Sequence, residues 1–369
     1  MNKLFTILLL IPLMSFGQSE IDDLVEAGDA KLALQDYYGA ITDYTKAIGL
    51  DPEYANAYTS RGDAKYELGD YYGAIADHTK AIEVNPEYAY AYSMRGDAKF
   101  DLEDYSGAIA DQTKAIELYP EYDYAYTSRG DAKFDLEDYS GAIADHTKAI
   151  ELNPEYDYAY TSRGDAKYEL GDYYGAIADH TKAIEVNPEY AYAYSMRGAA
   201  KLDLEDYSGA IEDYTKAIEL NPEYAYCYTE RGVAKYYLKD YYGAIADHTK
   251  AIELNPEYAL AFSLRGDAKF DLEDYSGAIA DYSKTIELNP NAYNYKNRGD
   301  AKFFSENYSE AIADYTKVIE LNPEDSYAYY FRGLAKDVLG YSNGACSDWE
   351  KSAELGDTDA AKLVAENCN

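Results

Sequence analysis

One feature constrains this chain more than any other: it repeats itself every 34 residues. The prolines Pro52, Pro86, Pro120, Pro154, Pro188, Pro222, Pro256, Pro290 and Pro323 mark the period, with seven gaps of 34 residues and a last gap of 33. Arg-Gly keeps the same step from Arg61-Gly62 to Arg332-Gly333. A fixed period of this size identifies a stack of supersecondary units, each too small to bury its own apolar face. Residues 61–96 and 163–198 are identical, which implies recent duplication of a three-unit block.

One unit, Asn85 to Pro120, shows what the copies build. Asn85 is expected to cap a first helix, with Pro86 at its first position, where no amide hydrogen is needed. That helix is expected to run through Tyr92 and Gly96 to about Leu102, and Asp104 to cap a second one. In sister units a glycine precedes this aspartate (Gly69-Asp70, Gly171-Asp172) and supplies a left-handed turn between the helices. Ala108, Ile109, Gln112, Ala115 and Ile116 then form one stripe at helical period, with a polar intruder in this copy. The unit is a helical hairpin, and about ten of them fill the chain.

At Tyr92, Gly96, Ala108, Ala115 and Pro120, and at their counterparts, the chain resembles the tetratricopeptide repeat family in its exported bacterial form, over Ile21 to Asp357. The resemblance implies an all-α, right-handed superhelical solenoid of residues 18–357, with a short C-terminal capping helix at 358–369. It also implies a concave groove lined by first helices. Two positions depart from the family: Arg95 replaces the usual leucine and Lys99 the usual aromatic, and both recur. Arg95 is expected to pair with a second-helix aspartate such as Asp111.

Composition narrows function. Acidic residues outnumber basic ones 69 to 33, for a net charge of −36. That excess argues against nucleic acid and anionic membranes as partners and favours cationic ones. With 47% hydrophobic residues and 46 tyrosines, the chain is not of disordered composition. Met1-Asn2-Lys3 followed by the apolar run Leu4–Phe16 reads as a signal peptide, residues 1–17, cleaved near Gly17-Gln18. Export to a periplasm or the cell exterior is therefore expected.

Catalysis needs one constellation in one place, and repetition works against it. His78, His146, His180 and His248 share a second-helix slot that elsewhere holds Tyr44, Gln112, Tyr214, Tyr282, Tyr315 or Trp349, which marks it as a packing slot. The sequence offers no phosphate loop, zinc cluster or nucleophile elbow, so no enzyme activity, cofactor or metal is expected. Cys346 and Cys368 are candidates for a disulfide at the C-terminal end, and Cys227 reads as a small buried residue.

The resemblance places groove positions on a tyrosine ladder (Tyr90, Tyr124, Tyr158, Tyr192, Tyr226) and an aspartate ladder that includes Asp131 and Asp165. The aspartate ladder breaks at Ala199 and Val233, where Leu202, Tyr236 and Tyr237 also depart from the pattern. These residues form a candidate apolar hot spot between acidic flanks. The expected function is a protein- or peptide-binding scaffold whose partner is cationic or carries an apolar anchor. The alternative is a glycan-binding surface protein that stacks tyrosines on sugar rings.

Overall fold

A computed structural model describes residues 20–368. The expected signal peptide at 1–17 lies outside the described residues. The chain divides into two compact units, one up to Pro188 and one from Glu189. In the first, five hairpins follow one another: 20–33 with Tyr37–Leu50, Ala55–Glu67 with Tyr71–Val84, Ala89–Phe100 with Tyr105–Leu118, Asp123–Asp135 with Tyr139–Leu152, and Asp157–Glu169 with Tyr173–Val186. In the second, hairpins six to ten are Ala191–Asp203 with Tyr207–Leu220, Ala225–Tyr237 with Tyr241–Leu254, Ala259–Asp271 with Tyr275–Leu288, Ala292–Phe304 with Tyr308–Leu321, and Ser326–Val338 with Ser342–Glu354. Thr358–Asn367 closes this unit. Every described element is helical, and the fold is a solenoid of stacked hairpins.

The second helix begins as the sequence predicts. Asp104 accepts a bond from the Gly107 amide at 3.0 Å, and the same cap recurs at Asp70, Asp138 and Asp240. The turn before it needs positive φ. Gly69 and Gly171 take it at 76° and 77°, but Glu103, Glu137, Glu205 and Glu273 take it at 60–61° without glycine's freedom.

The first helix begins later than predicted. It starts at Ala89, with Tyr88 as N-cap and no side-chain cap. Asn85 instead ends the preceding helix, its amide bonding Ala81 at 2.8 Å. Its side chain accepts from the Glu87 amide at 3.2 Å, and its carbonyl accepts from the Tyr88 amide at 3.1 Å. Asn at the first and Pro at the second position of a β-turn suit that geometry better than a helix start.

The core is largely alanine. Ala57, Ala64, Ala74, Ala81 and their counterparts are fully buried, which lets neighbouring helices approach closely. The Arg-Gly position is another close approach between helices. A Cβ on Gly62 would lie 2.7 Å from the His78 ring, and one on Gly266 would lie 2.7 Å from Tyr282. The recurring glycine is therefore the seat of the large slot side chain.

A second recurring device runs between hairpin helices. Arg95 grips Asp111 with two bonds, Nε at 2.8 Å and Nη2 at 2.6 Å, as expected from the sequence. Lys99 adds a third bond at 2.7 Å, and Arg95 Nη1 reaches Thr79 on the preceding second helix at 3.1 Å. The guanidinium also lies 5.5 Å from the Tyr92 ring centre. The same seam recurs at Arg129–Asp145, Arg231–Asp247, Arg265–Asp281 and Arg332–Asp348.

At the C-terminal end, Ala345, Trp349 and Ala360 form a cluster with Leu363, Val364 and Cys368. A disulfide joins Cys346 to Cys368 across it, with their Cα atoms 5.6 Å apart. Cys227 is a buried free thiol.

Candidate functional site

Each unit carries two sets of charged groups on different sides. In the hairpin Ala89–Leu118, Arg95 and Lys99 hold the seam aspartate, and Lys114 pairs with Glu117 at 3.0 Å. The repeated basic residues are thereby committed away from the ladder. What remains on the ladder is carboxylate, hydroxyl and aromatic ring.

The two ladders of the sequence form one structure. The Tyr90 hydroxyl donates to Asp63 at 2.9 Å, Tyr124 to Asp97 at 2.8 Å, and Tyr158 to Asp131 at 3.2 Å. Each rung spans 27 residues and ties one first helix to the next. The slot residue completes the rung from below: Gln112 donates to Asp97 at 2.8 Å, Tyr282 to Asp267 at 2.7 Å, and Tyr315 to Asp300 at 2.8 Å. His78 and His146 sit 3.6 Å from Asp63 and Asp131, beyond hydrogen-bond distance, with both ring nitrogens unpaired. The sequence reading found the slot's packing role and missed its polar one. The signal was present in the constant 15-residue spacing between ladder aspartate and slot.

Burial shifts these groups. It pushes Asp63, Asp97, Asp267 and Asp300 up to about 6 and Asp131 up to about 7, against an ordinary value of 3.8; at Asp300 the charge of Lys296 opposes the shift. Hydrogen bonds from the ladder tyrosines oppose the shift at Asp97 and Asp131, while Asp101 and Asp135 add to it by repulsion. Burial also holds the imidazoles of His78, His146 and His248 down to about 4, so they are neutral at pH 7.

Between rungs lie cavities of one recurring kind. One, of about 190 Å³, is lined by Tyr66, Asp97, Phe100, Asp101, Tyr124, Ser128 and Asp131. Its neighbour, about 200 Å³, brings together Phe100, Asp131, Phe134, Asp135, His146, Tyr158, Ser162 and Asp165. Another, about 210 Å³, holds Asp63, Tyr66, Glu67, His78, Tyr90, Met94, Asp97 and Tyr124. None of these lining residues is lysine or arginine, and His78 and His146 are neutral at pH 7. An aromatic face beside two or more carboxylates of successive hairpins is a socket for an ammonium or guanidinium group. The volumes fall below the roughly 300–1,000 Å³ of small-molecule sites and fit one side chain.

The predicted partner residues are placed as follows. Tyr90, Tyr124, Tyr158, Tyr192 and Tyr226 are each 37–43% exposed. Asp131, Asp165 and Tyr158 share one cavity. Val233, Tyr236 and Tyr237 share another, but Tyr192, Ala199, Leu202 and Tyr226 do not line it. Ala199 is only 5% exposed, and Leu202 packs against the Tyr214–Ala217 cluster. Neither presents the surface expected of it: alanine is too short to reach solvent there, and leucine turns into the core. Ala199 acts by omission, since it removes the acceptor that Tyr226 would otherwise find 27 residues back.

Sequence reasoning also passed over Glu230, which stands where Ser60, Ser128 and Ser162 stand in sister hairpins. Burial, and then repulsion from Asp203, pushes its carboxyl up to about 7.

Models of the tetratricopeptide repeat match residues 28–69, 62–102, 89–122, 130–171, 164–204, 191–224, 229–293 and 292–325. No curated protein matches the chain. Among solved structures, pilF of Pseudomonas aeruginosa is 18% identical over 56% of this chain and 94% of its own, with a TM-score of 0.51. YrrB, described as a tetratricopeptide repeat protein with an unusual peptide-binding site, is 25% identical over 50% of this chain and 95% of its own, with a TM-score of 0.44. MamA is 28% identical over 44% of this chain and 96% of its own, with a TM-score of 0.42.

Proposed function

Because the chain belongs to the tetratricopeptide repeat family, we propose that it is a non-catalytic scaffold for basic, extended segments of partner proteins. The observation that carries this is the row of cavities in which an aromatic ring faces carboxylates from successive hairpins, with no lysine or arginine in the lining. Each socket suits one lysine or arginine, and a chain threaded along the ladder meets one socket per hairpin. Successive sockets act on one ligand, so several weak contacts add to useful affinity. The exposed tyrosines supply contact area at low entropic cost.

The test is a titration of the chain with a fluorescein-labelled peptide of alternating glycine and arginine, and with a glutamate-containing control, at 25 and 300 mM salt. The arginine peptide is expected to bind and to weaken at least tenfold at high salt; the control is expected not to bind. Absence of binding at 25 mM salt overturns the reading. A salt-insensitive response to an oligosaccharide would favour the glycan alternative, since sugar stacking carries no charge.

We also propose that the chain is exported and cleaved near Gly17-Gln18. The apolar run Leu4–Phe16 and the Cys346–Cys368 disulfide support an oxidising compartment. Intact mass of the protein from its native cells, unreduced and alkylated, checks both: the expected species starts at Gln18 and carries one alkyl group, on Cys227. A full-length mass with three alkyl groups overturns the proposal.

A further inference from the structure

Hairpins seven to nine interrupt the ladder in a way that drift at one position does not produce. Val233 stands where hairpins two to five have Asp63, Asp97, Asp131 and Asp165. Leu260 stands 27 residues later, where the ladder has Tyr90, Tyr124 and Tyr158. A whole rung, acceptor and donor together, is thus replaced by two apolar side chains. Replacing both partners leaves no buried polar group unpaired, whereas replacing one would. Leu260 is left 48% exposed.

The cavity beside this rung has a different character from the sockets. It is about 230 Å³ and is lined by Val233, Tyr236, Tyr237, His248, Leu264, Asp267 and Tyr293. Leu264 occupies the position of Ser128 and Ser162, which is methionine at Met94 and Met196, and adds an apolar side chain beside Val233. His248 is 1% exposed, and its Nδ1 has no hydrogen-bond partner. In hairpins two and four the slot histidine lies 3.6 Å from a ladder carboxylate, and here the ladder position is Val233, which lines the same cavity as His248.

The adjoining cavity is anionic. It is about 260 Å³ and shares Tyr236, Asp267 and Tyr293 with the first, adding Phe270, Asp271, Tyr282, Asn297 and Asp300. Three shared residues put the two cavities within reach of neighbouring side chains on one strand of ligand.

We propose that these two cavities form a two-pronged site for a peptide segment with an apolar side chain beside an arginine or lysine. The apolar prong fixes the register at which the basic side chain enters the adjoining anionic cavity. The proposal rests on the basic-peptide reading above and adds a sequence preference to it.

Two acetylated, amidated probes of equal charge test it. One is Gly-Arg-Gly-Gly-Arg-Gly-Gly-Arg-Gly, and the other has leucine in place of the glycine before the central arginine. The intact chain is expected to bind the leucine probe about tenfold tighter, from the apolar area buried. Val233→Asp restores the sequence of the sister hairpins and should abolish that preference, while the added carboxylate should tighten the all-glycine probe. Leu264→Ser, which also installs a sister residue, should do the same in part. Asp271→Asn should weaken both probes alike. Equal binding of the two probes by the intact chain, or a leucine preference that survives Val233→Asp, overturns the two-pronged site and leaves the basic-peptide reading standing. Failure of both probes to bind at all overturns both readings.

Discussion

Asp145 and Asp131 lie in one hairpin and have opposite surroundings. Asp145, with 6% of its side chain exposed, receives Arg129 through two bonds of 2.9 and 2.6 Å and Lys133 through a third of 2.7 Å. Asp131, with 25% exposed, has the Tyr158 hydroxyl at 3.2 Å, the His146 ring at 3.6 Å, and repulsion from Asp135 and Asp97. One carboxylate is saturated with cations supplied by the fold. The other is held without one, beside an open cavity. A buried charge costs free energy unless it is paired, so the seam contributes stability and the ladder consumes it. That difference separates residues that report the fold from residues available to a partner, although both sets repeat at the same period.

The sharpest way to break the comparison is at the seam. Arg129→Leu strips the bidentate partner from a buried carboxylate and leaves only Lys133. It is expected to cost about 3 kcal/mol, seen as a lower midpoint in thermal or urea unfolding. Leucine is the residue the family usually has at this position, so the loss would come from the stranded Asp145 and not from a poor fit. The double variant Arg129→Leu, Asp145→Leu should recover much of it. An unchanged midpoint for the single variant would mean that the seam is no more structural than the ladder.

How much of this was legible in the sequence follows from the same contrast. Period, hairpin, second-helix cap and seam were legible because each depends on spacing within one unit: Asp104 three residues before Gly107, Arg95 sixteen before Asp111. The first-helix start was misplaced because Asn-Pro satisfies a β-turn and a helix cap equally well as letters. The outcome depended on where Tyr88 lands when hairpins pack. The rungs were hidden because Tyr124 and Asp97 belong to different units, and near-identical copies give no variation by which to couple them. Only where the copies differ, at Val233 and Leu260, does the pairing leave a trace in the letters. Ala199 was misjudged for a related reason: as a missing carboxylate it is informative, but its own side chain has no surface to offer.

The second prediction tests the ladder from the opposite direction. Asp97 has its carboxyl pushed up to about 6, chiefly by burial, with Asp101 repelling it and Tyr124, Ser128 and Gln112 stabilising the charge. A folded-state value above the unfolded one means the folded chain binds the proton more tightly. Stability should therefore rise as pH falls through 6 toward 4, and the ionised group is a cost above that window. Asp97→Asn removes the cost and keeps an acceptor for Tyr124, at the loss of the bond from Gln112. It should stabilise the protein by about 1–2 kcal/mol at pH 7.5, with the advantage over the intact chain gone by pH 4. Equal melting points for variant and parent at pH 7.5 would show that Asp97 is as well compensated as Asp111. The same variant should weaken the arginine peptide, because a socket that is costly when empty is the one a cation relieves.

The smallest effect isolates the rung itself. Tyr124→Phe deletes the hydroxyl that donates to Asp97 at 2.8 Å and leaves the ring in place. The tyrosine is 39% exposed, so water replaces part of what is lost, and the expected cost at pH 7.5 is about 1 kcal/mol or less. Its pH dependence carries the information. The hydroxyl stabilises the charged form of Asp97, so its removal should raise the Asp97 value further, and the cost should shrink once that carboxyl is protonated. Melting curves of variant and parent should thus be separated at pH 7.5 and close together at pH 4.5. A separation independent of pH would mean that the hydroxyl merely fills space and that burial alone poises the carboxylate. Convergence at low pH would show that each rung tunes the charge its socket presents, a role that no residue of the seam has.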